Sequence, residues 1–206
     1  QSTTVSLEQW KLPLRNGSSV DTITSSLGTL RHIQTLRLQQ TNTTGSQFGG
    51  LSSIIVTPDG SEVLTVSDRG LFVGMNLSST RDAVEYDVKE ALLFPMHDPQ
   101  GQTIPFGSIE GDAEGLTVNG RYEGGGKGEL YVSYEGDHRV LRFLEGVGSP
   151  RSTNLNVSNL LTNCPSNGGL EAILKQQPSA GRDGLLLMLC EEPPISSTTD
   201  LQGRIQ

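Results

Sequence analysis

Acidic side chains recur in this chain at the ends of short apolar runs. Asp68 follows residues 62–67, Glu135 follows 129–134, and Glu191 follows 185–190. A second set opens the segments that precede those runs: Asp112 and Glu114 come before Leu116-Thr117-Val118, and Glu171 follows Gly168-Gly169-Leu170. Carboxylates gathered in one concave place repel one another, which raises some of their pKa values unless a cation or an arginine compensates. Ca²⁺ is the fitting cation, because it takes roughly six to eight oxygen ligands and accepts irregular geometry. Zn²⁺ fits poorly: His32, His97 and His138 lie far apart and show no ligand spacing. The chemistry such a set offers is hydrolysis by metal-activated water. For any one acid the competing role is structural, as an acceptor for loop amides at a strand end. Recurrence in three segments is what brings the metal role into play for the set.

Cationic candidates sit beside these acids. Arg69 directly follows Asp68 and offers a fork to a phosphate or carboxylate oxygen, or else pairs with a rim acid. His138 and Arg139 follow Gly136-Asp137, placed either to face the same rim or to decorate a turn. The stretch Gly124-Gly125-Gly126-Lys127-Gly128 is no phosphate loop, since its first glycine is misplaced and no Ser or Thr follows Lys127. There is no Gly-x-Ser-x-Gly elbow and no distinguishable Ser-His-Asp set, so ester hydrolysis by a serine nucleophile has no support.

The elements that must position these residues are repeated hairpins. Three segments, beginning near Gly49, Asp112 and Gly168, share one plan: a short strand, a turn, an apolar strand and an acid. The turns fall at Pro58-Asp59-Gly60, at the glycines 124–128 and at Asp183-Gly184. Strands are expected at 51–56, 63–67, 116–118, 130–134, 170–174 and 185–189, with further strands at 71–77 and 140–144. Only residues 84–94 invite a helix, which Pro95 would end. In an antiparallel hairpin the start of the first strand lies beside the end of the second. Glu114 therefore belongs beside Glu135, and Glu171 beside Glu191.

Radial repetition of such hairpins predicts an all-β fold, a β-propeller. Residues 1–48 supply an N-terminal segment and first strands, and residues 49–206 the blades. The repeats are ~55–65 residues apart, against about 40–50 for an ordinary four-stranded blade. A six-bladed ring needs roughly 250–300 residues. The 206 residues are thus expected to form an incomplete, N-terminal part of a ring, with open blade edges that favour self-association.

Composition narrows the partners. A net charge of −8 and a pI near 4.8, with no basic run, argue against nucleic acid. The longest apolar run, residues 185–190, is far too short to span a membrane. A Ser/Thr-rich start at residues 1–6 is compatible with a removed signal and a secreted or periplasmic protein. In such a compartment the two cysteines, Cys164 and Cys190, are either a disulfide or two buried thiols. Asn16, Asn42, Asn76 and Asn156 lie in glycosylation sequons.

Taken in order, several of these stretches resemble the phytase-like propeller family described as having the esterase-like activity of phytase. They are Gly49-Gly50-Leu51-Ser52 with Ser67-Asp68-Arg69-Gly70, then Asp98-Pro99-Gln100-Gly101 and Asp112-Ala113-Glu114-Gly115-Leu116. Glu135-Gly136 with Arg139-Val140-Leu141-Arg142-Phe143 follows, then Asn167-Gly168-Gly169-Leu170-Glu171-Ala172 with Glu191. The resemblance implies an exported β-propeller acting on ester or phosphoester bonds. Residues and resemblance together give a calcium-dependent, phosphoesterase-like propeller with a small-molecule ester substrate. Its metal candidates are Asp68, Asp112, Glu114, Glu135, Glu171 and Glu191, and its substrate-binding candidates are Arg69 and Arg139. The alternatives are a non-catalytic propeller binding a glycan, peptide or protein, and a lactonase-like metal propeller.

Overall fold

Sixteen strands organise the described part of the chain, which in this computed structural model comprises residues 2–13, 22–41, 45–79, 85–157, 164–165, 168–177 and 184–192. In order they are β1 (Thr3–Lys11), β2 (Thr22–Ser25), β3 (Gly28–Arg31), β4 (Leu36–Gln40), β5 (Leu51–Val56), β6 (Glu62–Ser67), β7 (Leu71–Asn76) and β8 (Ser78–Ser79). There follow β9 (Tyr86–Asp87), β10 (Glu90–Pro95), β11 (Ala113–Val118), β12 (Leu130–Tyr134), β13 (Arg139–Phe143), β14 (Thr153–Leu155), β15 (Leu170–Lys175) and β16 (Leu186–Cys190). No α-helix occurs among the described residues, and none of their helical turns is long and apolar enough to cross a membrane. The protein is all-β.

Three sheets carry the architecture. The first has strand order β4-β1-β10-β7-β6-β5, the second β11-β12-β13-β14, and the third is the hairpin β15-β16. Every pairing is antiparallel. One edge strand of each sheet lies beside that of the next, with β11 between β5 and β15. The three expected hairpins are therefore present, and the additional strands expected near 71–77 and 140–144 are β7 and β13.

Period-two burial explains why the central strands are nearly continuous apolar runs. On β12, Leu130, Val132 and Tyr134 pack towards the first sheet, against Leu64, Val66 and Phe72. Tyr131, from the other face of the same strand, packs with Val140 of the neighbouring strand β13 and with Leu170 and Ile173 of the third sheet. On β6, Val63 points away from the second sheet, into a cluster with Val73, Ala91 and Leu93. A strand buried on both faces is apolar at most positions, with Ser133 on β12 and Thr65 and Ser67 on β6 as the buried polar exceptions. Phe72 and Phe143 meet edge to face across the first interface, their ring centroids 5.0 Å apart.

One expectation is corrected here. Residues 85–94 are not helical but contribute β9 and β10, while Val84 lies outside the described residues. Ala91 and Leu93, two apart, are both buried where β10 runs between β1 and β7. Cross-strand packing on both sides outweighs the local preference of Glu90-Ala91-Leu92-Leu93 for a helix. Of the two states open to the cysteines, the disulfide is the one formed, joining Cys164 to Cys190 with 6.0 Å between their Cα atoms.

Truncation should separate these environments. Leu130 is fully buried, so Leu130→Ala is expected to lose about 2–5 kcal/mol of unfolding free energy through lost transfer energy and a residual cavity. Leu189, on the outer face of the third sheet, is 68% exposed, and Leu189→Ala should stay within about 0.5 kcal/mol of the parent. Urea unfolding of both variants checks the contrast, and similar losses would contradict the layer assignment.

Candidate acidic site

The three hairpins are closed by the same backbone bond. The amide of Asp68 donates to the carbonyl of Gly50 at 2.9 Å, that of Glu135 to Asp112 at 3.0 Å, and that of Glu191 to Gly169 at 2.8 Å. Two residues after each acceptor, pairing is interrupted by a bulge. Ala113 faces Tyr134 and Gly115 faces Ser133, which leaves Glu114 as the extra residue. Leu170 faces Cys190 and Ala172 faces Leu189, which leaves Glu171. In the first hairpin Leu51 faces Ser67 and Ile54 faces Thr65, so Ser52 and Ser53 together oppose Val66. A bulge re-aims the side chain that the alternation would otherwise bury or expose. Ser52, Glu114 and Glu171 consequently occupy one structural position in three successive hairpins, with Asp68, Glu135 and Glu191 as the closing acids. Gly50 makes the first turn possible: its φ is +58°, and a Cβ there would collide with the Asp68 carboxylate.

Carboxylates meet across the sheets as a result. Oxygens of Asp112, Glu114 and Glu135 lie within 4.8 Å of one another, and so do those of Glu135, Glu171 and Glu191. Glu135 belongs to both groups and joins them. It is fixed from the next sheet by the amides of Gly168 and Gly169, which both donate to its Oε1. Ser52 Oγ donates to Glu114 Oε2 at 2.6 Å, bridging the first sheet to the second. Burial, more than any other cause, pushes the Glu114 carboxyl up from 4.5 to about 7, with the charges of Glu171 and Asp112 adding to it. Asp112 is raised by burial and then by Glu135 and Asp68, and Glu171 by burial and then by Glu135, Glu191 and Asp112. Asp68 stands outside both close groups, yet its charge is felt at Asp112.

The two arginines differ in their surroundings. The Arg69 guanidinium lies 3.7 Å from Asp68 Oδ1 and 5.8 Å from the centre of the Phe106 ring, with its side chain 38% exposed. Arg139 is only 15% exposed at its side chain. It pairs with Asp137, donates to the carbonyl of Glu110, and stacks 4.1 Å above the Tyr134 ring. His138, at a left-handed φ of 46°, is bonded through Nε2 to the carbonyl oxygen of Cys164 at 3.1 Å. Sequence reasoning passed over Ser52 and the bulges. The signal available was the alignment of Leu51-Ser52 with Ala113-Glu114 and Leu170-Glu171, together with a glycine in strand β11 at Gly115.

Fit to a metal can be judged from the donor set. It consists of carboxylate oxygens, some of them held above their usual pKa by burial and mutual repulsion, which matches a hard, multi-oxygen cation and not zinc. The cleft lined by Leu64, Leu92, Phe94 and Gly125 contains none of these acids.

The sign of the pH dependence follows from the raised carboxyls. Between pH about 4.5 and about 7 the folded chain holds protons at Glu114 that the unfolded chain has released. The destabilisation is absent below this window and complete above it, so metal-free protein should lose stability as pH rises through it. Glu114→Gln should flatten that slope. Urea unfolding in the presence of a chelator at several pH values checks both statements; stability rising with pH in this window would contradict the geometry.

No curated protein and no solved structure matches the chain. A family match does exist, to the phytase-like proteins described as "esterase-like activity of phytase", and it runs over residues 46–204, more than half of the chain and all three acidic hairpins. With that match covering the recurrent hairpins and their carboxylates, the chain belongs to the phytase-like family.

Proposed function

We propose that the chain is the blade-forming part of an exported, metal-dependent propeller hydrolase acting on phosphate or other esters. The observation that carries this reading is the pair of carboxylate groups sharing Glu135, assembled from the second and third hairpins, with one oxygen of each residue within 4.8 Å of the others in its group. On this reading the three sheets are successive blades whose first strands β5, β11 and β15 line the axis. Residues 49–206 are one unit of blades, and β1 and β4, from residues 1–48, extend the first of them. The disulfide is compatible with an oxidising compartment outside the cytosol.

Asp112, Glu114 and Glu135 would hold one Ca²⁺, with Glu135, Glu171 and Glu191 able to serve a second or to share it. Bound calcium would neutralise the substrate phosphate and lower the pKa of a water for attack. Ser52 keeps Glu114 oriented towards the group. Arg69 makes no side-chain hydrogen bond among the described residues, beyond its long ion pair with Asp68, and its guanidinium is free to grip an anionic oxygen. Arg139, braced by Asp137, Glu110 and Tyr134, contributes positive potential at the same end of β13.

Calcium titration is the direct test. Ca²⁺ should raise unfolding free energy by about 2.7 kcal/mol at a hundredfold excess over Kd, and Mg²⁺ by less, because it demands tight octahedral geometry. Glu114→Gln with Glu171→Gln should abolish the effect while stabilising the metal-free protein. If the acids only accept structural hydrogen bonds, the same change destabilises with or without calcium. Given calcium binding, phosphate monoesters assayed against lactones separate phosphoesterase from lactonase, and turnover of neither favours a non-catalytic binding propeller.

The blade reading also predicts self-association. Leu174, Leu187 and Leu189 are exposed on one outer face of the sheet array, and Ile54 and Val56 on β5. Contiguous apolar strand faces of this kind favour pairing. Light scattering should show mass rising with concentration, and Leu187→Lys with Leu189→Lys should suppress the rise; a monomer at every concentration counts against open blade faces.

A further inference from the structure

We propose that the Cys164–Cys190 disulfide is a redox latch on the acidic group formed by Glu135, Glu171 and Glu191. The cystine joins the segment that leads into β15 to the last residue of β16, immediately before Glu191. Around it the backbone is tied crosswise. Glu191 and Glu192 donate their amides to the carbonyls of Gly169 and Gly168, at 2.8 and 3.1 Å. Gly168 and Gly169 in turn donate theirs to Glu135 Oε1. His138 adds a further tie, its Nε2 bonded to the carbonyl oxygen of Cys164. It packs so closely on Gly169 that a Cβ there would collide with the imidazole. The disulfide thus ties the segment that precedes Gly168 and Gly169 to the strand end beside them, where one carboxylate is held and another emerges.

The two acidic groups are held unequally. Asp112, Glu114 and Glu135 hang from β11 and β12, whose side chains are buried at nearly every position. Glu191 follows β16, a strand paired among the described residues on one side only, with Leu187 and Leu189 in solvent. Both cysteines are half-buried, within reach of a small reductant. A dithiol would attack one sulfur and break the S–S bond. Two electrons and two protons would pass to the protein, leaving Cys164 and Cys190 as thiols and the reductant as its own disulfide. Removing the latch should free the strap at 168–169, the Glu135 carboxylate that it holds and the end of β16, while Asp112 and Glu114, which the strap does not bond, stay in place.

This inference rests on the calcium reading for its functional consequence but not for its structural one, and two readouts keep them apart. Calorimetric titration with Ca²⁺ alone compares the oxidised chain, the chain treated with dithiothreitol, and Cys164→Ala with Cys190→Ala. Amide exchange follows Gly168, Gly169, Glu191 and Glu192 in the same samples. Reduction should raise the Ca²⁺ Kd by at least about tenfold, the range in which supporting contacts act on metal ligands. It should also speed exchange at those four amides while β6 and β12 stay protected, and the double variant should behave as reduced protein and ignore dithiothreitol. Unchanged exchange at the four amides, or loss of protection throughout β6 and β12, would overturn the latch, the second outcome making the disulfide a global staple. Unchanged affinity with faster local exchange would overturn the coupling to metal. No calcium binding by the oxidised chain would sink the calcium reading, leaving the exchange data to decide the latch.

Discussion

The site depends on where each hairpin closes. A single amide-to-carbonyl bond, repeated at Asp68–Gly50, Glu135–Asp112 and Glu191–Gly169, fixes the residue that follows one strand beside the residue that precedes its partner. Each such bond contributes only about 0.5–1.5 kcal/mol net. Its importance is geometric, because the bulge that follows it turns Glu114 and Glu171 out of the strand alternation and towards a neighbouring sheet. A slip of one residue in β12 would carry its apolar set to the wrong face and Glu135 away from Asp112.

Bringing the acids together is opposed by charge. Two unit charges 4.8 Å apart repel by roughly 3–4 kcal/mol at an effective dielectric near 20, and by less where water screens them. Burying one Leu, Val or Phe side chain contributes about 1.5–3 kcal/mol. The cluster between the first two sheets contains more than a dozen buried side chains, among them Leu64, Phe72, Leu130, Tyr134 and Phe143. Packing therefore wins by a wide margin, and the carboxylates are held together at the closing ends of the hairpins whatever their mutual cost. The repulsion that remains is relieved locally: by the Ser52 hydroxyl on Glu114, by the Gly168 and Gly169 amides on Glu135, and by proton uptake at Glu114. A divalent cation would relieve the same strain more completely.

Much of this was legible in the chain itself because strand length, turn glycines and terminal acids are local signals. The hairpins 51–67, 116–134 and 170–189 follow from alternation and turns, and the meeting of Glu114 with Glu135 follows from antiparallel pairing alone. What the chain did not disclose depends on contacts between sheets. The bulges hide in plain sequence, since Ala113-Glu114-Gly115 reads as an ordinary strand start until its partner register is known. Ser52 carries no charge and draws no notice until its hydroxyl is seen on Glu114. Residues 85–94 read as helical because their strand identity comes from β1 and β7, distant in sequence. Arg139 looks like Arg69 on paper, and only the Tyr134 ring, Asp137 and Glu110 distinguish it.

The three hairpins are equivalent in backbone but not in chemistry, and that inequality gives the rim a direction. At the bulge position the order is Ser52, Glu114, Glu171, and at the closing position Asp68, Glu135, Glu191. Negative charge therefore accumulates between the second and third hairpins, where the two carboxylate groups share Glu135. The first hairpin exchanges one acid for a hydroxyl and adds the arginine at position 69. On the proposed reading a cation would be drawn to the acidic end, and an anionic substrate group would meet the guanidinium at the other. On the proposed reading, the ester bond would lie between them, bridging a hairpin that holds the substrate and a pair that holds the metal. On that same reading, equivalent acids in all three hairpins would make a better cation trap and a worse phosphate site, so the serine at position 52 suits substrate binding better than calcium storage alone.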